Sequence, residues 1–367
     1  MGYLYTNFLK VDELLKGNVS IYLDFVRGIS AVLVVMEHLS SRLFVGFGNV
    51  ESPNLFVQAL YLLNILGGPA VIIFFVLSGL FISRSVLKAV YKNKWSWKTY
   101  LINRLSRLYI VLIPALILTF IFDRIAVKFF DYQSYEHGLD NLIAFFGNIF
   151  FLQNISVGVY GSNAPLWSLN YEFWYYMLFP LLFLLFCKQG KITKLICVLV
   201  ALLIFFNIGA RMNSYFVIWL IGSIVLFLPK SKFLRQKFIP ILALLLLFVA
   251  MVVRPLVMTG RLFTDGWTTD LFFVDLFVGL AFGFVIYSLL HITSDKFKKV
   301  DLKWFGKFSR LIASYSFSLY VLHYPLINMV YRWGGKEWLF WFTTELKISG
   351  NRDSSWYYSL YFSILLL

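Results

Sequence analysis

The sequence has little charge and a low polar content. Asp, Glu, Lys and Arg make up 14% of its 367 residues, whereas a soluble domain has about 25%. Hydrophobic residues make up 60% and aromatic residues 20%, and the mean hydropathy is +0.77. Such a chain has too little polar surface to cover a water-soluble globule, which excludes soluble enzymes, disordered tails and secreted disulfide scaffolds. The composition predicts an all-α integral membrane protein.

Cysteine and polar linkers are also scarce. Cys187 and Cys197 cannot form a disulfide framework and their spacing matches no metal motif, so we expect two ordinary thiols and no metal site. Residues 1–17 mix acids with apolar residues and lack the basic start of a cleavable signal peptide. No Pro/Ser-rich linker interrupts the chain, so we expect residues 1–367 to form a single polytopic membrane domain.

Long apolar runs fill the chain instead. A spanning helix needs roughly 17–25 mostly apolar residues, because each residue rises about 1.5 Å. About ten transmembrane helices are predicted, at residues 21–44, 60–84, 105–127, 168–187, 193–209, 214–229, 238–254, 270–290, 310–331 and from 356 onward. The last run reaches Leu367 after 12 residues, so we expect this final helix to be incomplete. Leu142–Leu152 is apolar but too short, which predicts a re-entrant or interfacial segment near 140–155.

The basic residues predict the orientation. If the N-terminus is cytoplasmic and the spans alternate, one face holds 22 cations against four acids, and the other holds ten of each. Cytoplasmic loops collect Lys and Arg, so a multi-pass membrane protein with a cytoplasmic N-terminus is predicted. The net charge of +15 then follows from topology. The lipid bilayer is an expected partner, and nucleic acid is not.

Arg27 and His38 are the notable polar residues of the first span. They lie eleven residues apart, which at about 100° and 1.5 Å per residue places them on one helix face, about 16 Å apart along the axis. A phosphate-bearing carrier held at Arg27, such as coenzyme A, could extend a thioester to His38, a natural general base. The alternative is structural: Arg27 pairs with Asp24, and His38 donates to a backbone carbonyl.

Glu37 precedes His38 and points about 100° away from it. It is a second catalytic candidate, because a neighbouring carboxylate would raise the basicity of His38. The alternative is that Glu37 pairs with an arginine on another helix.

The second and third predicted spans carry a candidate donor site. Gly67, Gly68 and Pro69 predict a bend rather than a regular helix start. Ser78-Gly79 offers a small hydroxyl and a close approach for a ligand, although small residues in spans mostly serve helix packing. Two further cations, Arg104 and Arg107, lie one turn apart and could grip a phosphate; positive-inside charge alone would also account for them.

The remaining intramembrane candidates lie in three later spans. Glu172 follows Trp167 by about one turn, so it must be paired or reach a wet cavity. The aromatic residues around it form either a platform for sugars or an interfacial belt. His323 precedes Pro325 closely and serves either catalysis or a bond to a carbonyl freed by that proline. Asp275 has no obvious partner, so its role is open.

The order of these motifs resembles membrane-bound acyltransferase family 3. The resemblance covers about residues 21–185 and 310–330. It is carried by Arg27-x10-His38, by FFVLSG at Phe74–Gly79, by Arg104-x2-Arg107 with Pro114 beyond, by WSLNYEFWYY at Trp167–Tyr176, and by SYSFSLYVLHYP at Ser314–Pro325.

The resemblance implies a ten-span, multi-pass O-acyltransferase of the bacterial cytoplasmic (inner) membrane. It implies transfer of an acyl group, usually acetyl from cytoplasmic acetyl-CoA, to a hydroxyl of a cell-surface or lipid-linked glycan such as O-antigen, capsule or exopolysaccharide, with no permanently bound cofactor. The roles that it implies are catalysis for His38, donor binding for Arg27, Ser78, Gly79, Arg104 and Arg107, and acceptor binding for Trp167, Glu172 and His323.

Many members of that family carry an additional extracytoplasmic SGNH-type domain, for which this chain has no room. We therefore expect either direct transfer to the acceptor or a separate envelope-biosynthesis partner protein. The alternative function is a glycan or lipid-linked sugar transporter, with Asp24, Arg27, Glu37, Glu172 and Asp275 as a relay.

Overall fold

The computed structural model describes residues 2–44, 47, 50, 53–129, 142–229, 238–258, 271–292 and 302–343, with the side chains of these residues described from Tyr5 to Leu290 and from Leu302 to Arg332. Its elements are helices: α1 Gly2–Leu14, α2 Asn18–Leu43, α3 Leu55–Asn64, α4 Gly67–Tyr91, α5 Trp97–Phe129, α6 Leu142–Ile149, α7 Leu166–Leu184, α8 Lys191–Asn207, α9 Gly209–Val225, α10 Ile239–Met258, α11 Phe272–Ile292 and α12 Lys303–Thr343. The all-α prediction is confirmed for these residues.

Five described helices are long and apolar enough to cross a membrane: α2, α4, α5, α10 and α11. A sixth candidate is the pair α8 and α9, which bends by 119°. Gly209 sits at this bend with φ +80, a left-handed conformation that glycine adopts without a steric penalty. The predicted number of ten spans is therefore not confirmed, and the predicted final helix from residue 356 lies outside the described residues.

Helices α7 and α12 are long enough but less apolar, with 19 and 41 residues. Helix α7 carries Asn170 and Glu172, and α12 carries several serines and His323. Their lower hydropathy follows from these polar residues, which also form part of the candidate site below.

The predicted span 60–84 is wrong in its bounds, because the structure has two helices there, α3 and α4, separated by Ile65 and Leu66. The prediction that Gly67, Gly68 and Pro69 do not start a regular helix is also wrong, because they form the first turn of α4. Proline is tolerated there because first-turn N–H groups have no intrahelical partner. A Cβ on either glycine would collide with the side chains of Glu37 and Arg254 respectively.

Near residues 140–155 the structure has the eight-residue helix α6, too short to span, followed by a bonded turn. Phe151 and Asn154 adopt positive φ angles of 56° and 61°. The amide of Asn148 donates to the carbonyls of Ala144 and Gly158, at 2.8 and 2.9 Å. This turn leads directly into the start of α7.

The core is built on two helix pairs. Helix α2 packs along α12, and α4 packs along α9. At the second crossing, a Cβ on Gly79 would collide with the backbone of Trp219, and one on Gly222 with the backbone of Val76. Small residues permit such close approach. Helices α2, α4, α7 and α12 thereby surround the candidate site.

Candidate functional site

Two histidines meet at the contact between α2 and α12. His38 Nδ1 lies 2.7 Å from His323 Nε2, within hydrogen-bond distance. His323 is 4% exposed, whereas His38 is half-buried. The residues were predicted separately, His38 as catalytic and His323 on the acceptor side, and the fold brings them together across 285 positions. His38 Nδ1 therefore faces a histidine nitrogen, and not a backbone carbonyl as in the alternative prediction.

His323 is held from its other side by its own helix. Its Nδ1 lies 3.0 Å from the carbonyl oxygen of Leu319, one turn earlier. The carbonyl freed by Pro325 is that of Val321, and it accepts instead from Asn163 Nδ2 at 3.2 Å. The alternative role of His323 as the partner of the freed carbonyl is therefore wrong, because Asn163 takes that position.

A tyrosine and an arginine enclose the same pair. The rings of His38 and Tyr324 meet edge to face, with centroids 4.9 Å apart. Arg42 Nη2 donates to the Tyr324 hydroxyl at 2.7 Å. Neither residue was singled out from the sequence, although Arg42 lies one turn beyond His38 and Tyr324 directly follows His323, so helix periodicity and adjacency were available signals.

An inner pocket lies on one side of the histidines, with about 760 Å³ of unfilled space, part of it open. Its polar lining comes from α2, α4, α5, α7 and α12 and includes Arg27, Ser78, Arg107, Ser168, Glu172, Tyr176, Ser316 and Tyr320.

Arg27 is only partly satisfied in this pocket. Its Nη2 lies 3.2 Å from Asp24 Oδ1, which is the predicted alternative pairing, and 3.4 Å from the Ala313 carbonyl. Its buried Nε has no hydrogen-bond partner among the described residues. Arg27 thus pairs with Asp24 and still has a buried Nε–H donor with no partner among the described residues. Such a donor is suited to an anionic ligand.

The opposite wall is a chain of hydroxyl groups. Trp219 Nε1 donates to Ser78 Oγ at 3.2 Å, and Ser78 Oγ lies 3.4 Å from the Tyr176 hydroxyl. Tyr176 donates to Glu172 Oε2 at 3.0 Å. Arg107 is close enough to interact electrostatically with this carboxylate. Glu172, predicted for the acceptor side, therefore lies in the inner pocket.

Two predicted donor residues lie beside the pocket rather than in its lining. Gly79 faces α9, where its missing side chain permits the backbone contact with Trp219. The guanidinium of Arg104 donates to Ser85 Oγ at 3.0 Å and lies over the ring of Tyr100. Arg104 and Arg107 are thus one turn apart in sequence but differ in surroundings, and only Arg107 lines the pocket.

An outer pocket lies on the other side of the histidines and is wider, with about 2400 Å³ of unfilled space, much of it open. Trp167 and Tyr171 from α7 line it together with Tyr324 and Tyr331 from α12. Asp123 and Arg332 form an ion pair of 2.8 Å in its wall. Of the aromatic residues predicted to form a platform, Trp167 and Tyr171 line this pocket, whereas Tyr176 lines the inner one.

The order of residues along the helices places the histidine pair between the pockets. On α12, Ser316 and Tyr320 line the inner pocket, His323 follows, and Tyr324 lines the outer one. On α2, Arg27 lines the inner pocket, His38 follows, and Arg42 lines the outer one. Both helices therefore pass from one pocket to the other past the hydrogen-bonded pair, and neither histidine belongs to the lining of either pocket.

Glu37 points away from the pair. Its carboxylate lies against Gly67 and interacts electrostatically with Arg254 of α10, which matches the alternative that it partners an arginine on another helix. Arg254 Nε also binds Asp275 Oδ1 at 2.5 Å, and the Tyr215 hydroxyl donates to Asp275 Oδ2 at 2.5 Å. Asp275, which had no obvious partner in the sequence, is 1% exposed and fully bonded.

Comparison with known proteins gives one family and one relative. The family model described as an acyltransferase domain, acyltransferase family 3, matches residues 20–366. An uncharacterized protein of Haemophilus influenzae is 28% identical over 148 residues, which are 39% of this chain and 60% of that protein. The chain thus spans about 60% of the length of this curated relative. No solved structure matches the chain.

Proposed function

Because the chain belongs to acyltransferase family 3, a multi-pass membrane family, we propose that it transfers an acyl group, acetyl from cytoplasmic acetyl-CoA, to a hydroxyl of a cell-surface or lipid-linked glycan. The family resemblance of the sequence motifs is confirmed over essentially the whole chain. Acyl transfer follows from the family; acetyl-CoA and the glycan are the proposal.

The proposal includes the topology. The chain would form one domain of ten spans in the bacterial cytoplasmic membrane, with a cytoplasmic N-terminus. The helices α7, α8, α9 and α12, together with the apolar run from residue 356 onward, would supply the spans beyond the five apolar ones. The unequal distribution of Lys and Arg between the two faces supports this orientation.

The observation that carries the proposal is the histidine pair between two pockets. A transfer across a membrane needs a donor site and an acceptor site that open toward opposite sides and meet at the reacting groups. Arg27 and Arg107 give the inner pocket the positive charge that coenzyme A phosphates require. The outer pocket presents Trp167 and Tyr171, whose rings suit the apolar faces of sugars.

In the proposed reaction, the glycan hydroxyl oxygen attacks the thioester carbonyl carbon while His38 takes the hydroxyl proton. The carbon–sulfur bond then breaks, and the imidazolium returns the proton to the departing thiolate. The products are the glycan ester and the coenzyme A thiol. Glu172 belongs to the donor side in this scheme, because it lies in the inner pocket near Arg107.

Family membership favours acyl transfer over the transporter alternative. Three of the charges in the transporter relay are also held in ion pairs, Asp24 and Arg27 with each other and Asp275 with Arg254. A coupled transporter would depend on an ion gradient, whereas the acyltransferase depends on a thioester.

The test is release of the coenzyme A thiol by the purified protein in nanodiscs. Acetyl-CoA is supplied with and without a crude envelope glycan, and wild type is compared with His38→Ala. A matched control is Asn207→Ala at the end of α8, which removes only an exposed bond to Leu203. We expect glycan-stimulated release that His38→Ala lowers about 10²-fold or more and that Asn207→Ala leaves unchanged. Folded wild-type protein that neither binds acetyl-CoA nor releases thiol contradicts the proposal.

A further inference from the structure

We propose that His323 is a positioning residue that holds His38 in the tautomer with its hydrogen on Nδ1, so that His38 Nε2 is the atom that accepts the substrate proton. This inference rests on the proposed function for the role of His38, whereas the tautomer itself follows from hydrogen-bond geometry and can be measured without any substrate.

The two rings meet edge to edge in a common plane. The rings are within 8° of parallel, and their centroids are 5.1 Å apart. An imidazole nitrogen lies about 1.2 Å from its ring centre, given ring bonds of roughly 1.3–1.4 Å. Two such radii added to the 2.7 Å between His38 Nδ1 and His323 Nε2 account for the centroid separation. The contact is therefore an in-plane hydrogen bond rather than a face-to-face stack.

The direction of this bond is set by Leu319. A backbone carbonyl only accepts, so His323 Nδ1, 3.0 Å from that oxygen, carries a hydrogen. A neutral histidine with its hydrogen on Nδ1 has a lone pair on Nε2, which accepts. His38 Nδ1 must then donate, and the remaining lone pair of a neutral His38 lies on Nε2.

The same contacts argue against His323 as a direct substrate ligand. Both of its ring nitrogens are already engaged, one by Leu319 and one by His38, and the side chain is 4% exposed. A hydrogen bond from His323 to an acceptor would displace one of these partners. The sequence-based role of His323 on the acceptor side is thus replaced here by a role that acts through His38.

This arrangement remains compatible with the reaction step. When His38 Nε2 takes the hydroxyl proton, the imidazolium still has its Nδ1 hydrogen and keeps its bond to His323. The edge contact with Tyr324, whose hydroxyl is bound by Arg42, limits rotation of the ring. In hydrolytic triads, an aspartate fixes the tautomer and orientation of the catalytic histidine. Here the neutral imidazole of His323 takes that role.

The tautomer is measured by nitrogen-15 NMR of the protein in nanodiscs with labelled histidine. The chain has four histidines, so the spectrum is simple, and the difference between wild type and His38→Gln assigns the His38 signals. We expect His38 with its hydrogen on Nδ1 in wild type and a shift toward the Nε2–H form in His323→Phe, which has no acceptor. His38 with its hydrogen on Nε2 in wild type, or an unchanged tautomer in His323→Phe, overturns the proposal.

Kinetics then separate positioning from plain structural support. We expect His323→Phe to lower kcat about 10²-fold or more while KM for acetyl-CoA stays within about twofold. His323→Gln places an amide oxygen near the Nε2 position and should keep kcat within about tenfold of wild type. The matched control is Ser309→Ala, which removes a comparable buried bond on α12, from Ser309 Oγ to the Phe305 carbonyl at 2.7 Å.

The outcomes distinguish the two proposals. Equal losses of kcat in His323→Gln and His323→Phe, or an equal loss in Ser309→Ala, overturn the positioning role. If wild type releases no thiol but the NMR spectra show the expected tautomer and its loss in His323→Phe, then the proposed function fails and the hydrogen-bond assignment stands.

Discussion

Arg104 and Arg107 show how two similar residues acquire different roles from their surroundings. The sequence pairs them as one phosphate grip, one turn apart on α5. In the structure, Arg104 binds Ser85 and covers the ring of Tyr100, whereas Arg107 lines the inner pocket near Glu172. The difference is in the tertiary contacts, which the helical spacing alone does not specify.

We therefore predict unequal effects on donor binding. Arg107→Ala should weaken acetyl-CoA binding about 10- to 100-fold, because a hydrogen bond to a charged group contributes about 1.5–3 kcal/mol. Arg104→Ala should weaken it by about threefold or less, because Arg104 does not line the pocket and its Nη2 donates to Ser85. Isothermal titration of both variants in nanodiscs with acetyl-CoA measures the difference. Equal losses in the two variants would contradict the assignment of Arg107 alone to the pocket.

Much of the candidate site could be predicted at the residue scale. Helix periodicity places Arg27 and His38 on one face of α2. In the structure, Arg27 lines the inner pocket and His38 bonds to His323. The partners of these residues could not be predicted, because Ala313, His323 and Tyr324 are about 285 positions away. Arg254 stands at the end of a predicted span, and only the packing of α10 against α11 brings it to Asp275.

At the scale of elements, the crossing of α4 and α9 defines the wall of the inner pocket. Gly79 and Gly222 are the contact points, since a side chain on either would collide with the backbone of the other helix. Ser83 and Ser223 bond to each other across the same contact. This close approach also brings Trp219 within reach of Ser78. The packing of Gly79 thus orients the neighbouring pocket residue.

We predict that alanine at this crossing destabilises the fold. Gly222→Ala should lower stability by about 1–3 kcal/mol or more, because the methyl group meets backbone rather than a flexible side chain. The matched control is Gly190→Ala, since no atom of the described residues lies within 4 Å of the point that its added Cβ would occupy. Thermal unfolding in detergent compares the two. An unfolding midpoint for Gly222→Ala equal to that of Gly190→Ala would contradict the close crossing.

The elements themselves were largely predictable, and their ends were not. The length of each apolar run in the sequence locates most of the helices, because the residues that face lipid or the core of the bundle are apolar. It does not locate the start of α4, since Gly67 and Gly68 serve to accommodate Glu37 and Arg254 rather than to break the helix. It also does not reveal the separate helix α3. At the start of this helix, the backbone N–H of Val57 donates to Asn54 Oδ1 at 2.9 Å.

At the scale of the whole molecule, the helices that line both pockets, α2, α5, α7 and α12, differ in task from α10 and α11, which line neither. Helices α10 and α11 are strongly apolar and lie away from the pockets, apart from the buried pair of Arg254 and Asp275. Helices α7 and α12 are less hydrophobic because they supply polar residues to both pockets. A span that lines two pockets needs polar side chains at membrane depth, and these are stable only when partnered inside the bundle.

The distribution of charge predicts toward which side of the membrane each of the two pockets opens. In a chain with Cys187 and Cys197 replaced by alanine, single cysteines are introduced at Lys94, between α4 and α5, and at Ser156, before α7; both positions are exposed. Because Lys94 lies in a basic segment and Ser156 does not, a membrane-impermeant maleimide should label Ser156→Cys in intact spheroplasts. It should label Lys94→Cys only after permeabilisation. Labelling of Lys94→Cys from outside with protection of Ser156→Cys would reverse the orientation, and with it the sides assigned to donor and acceptor.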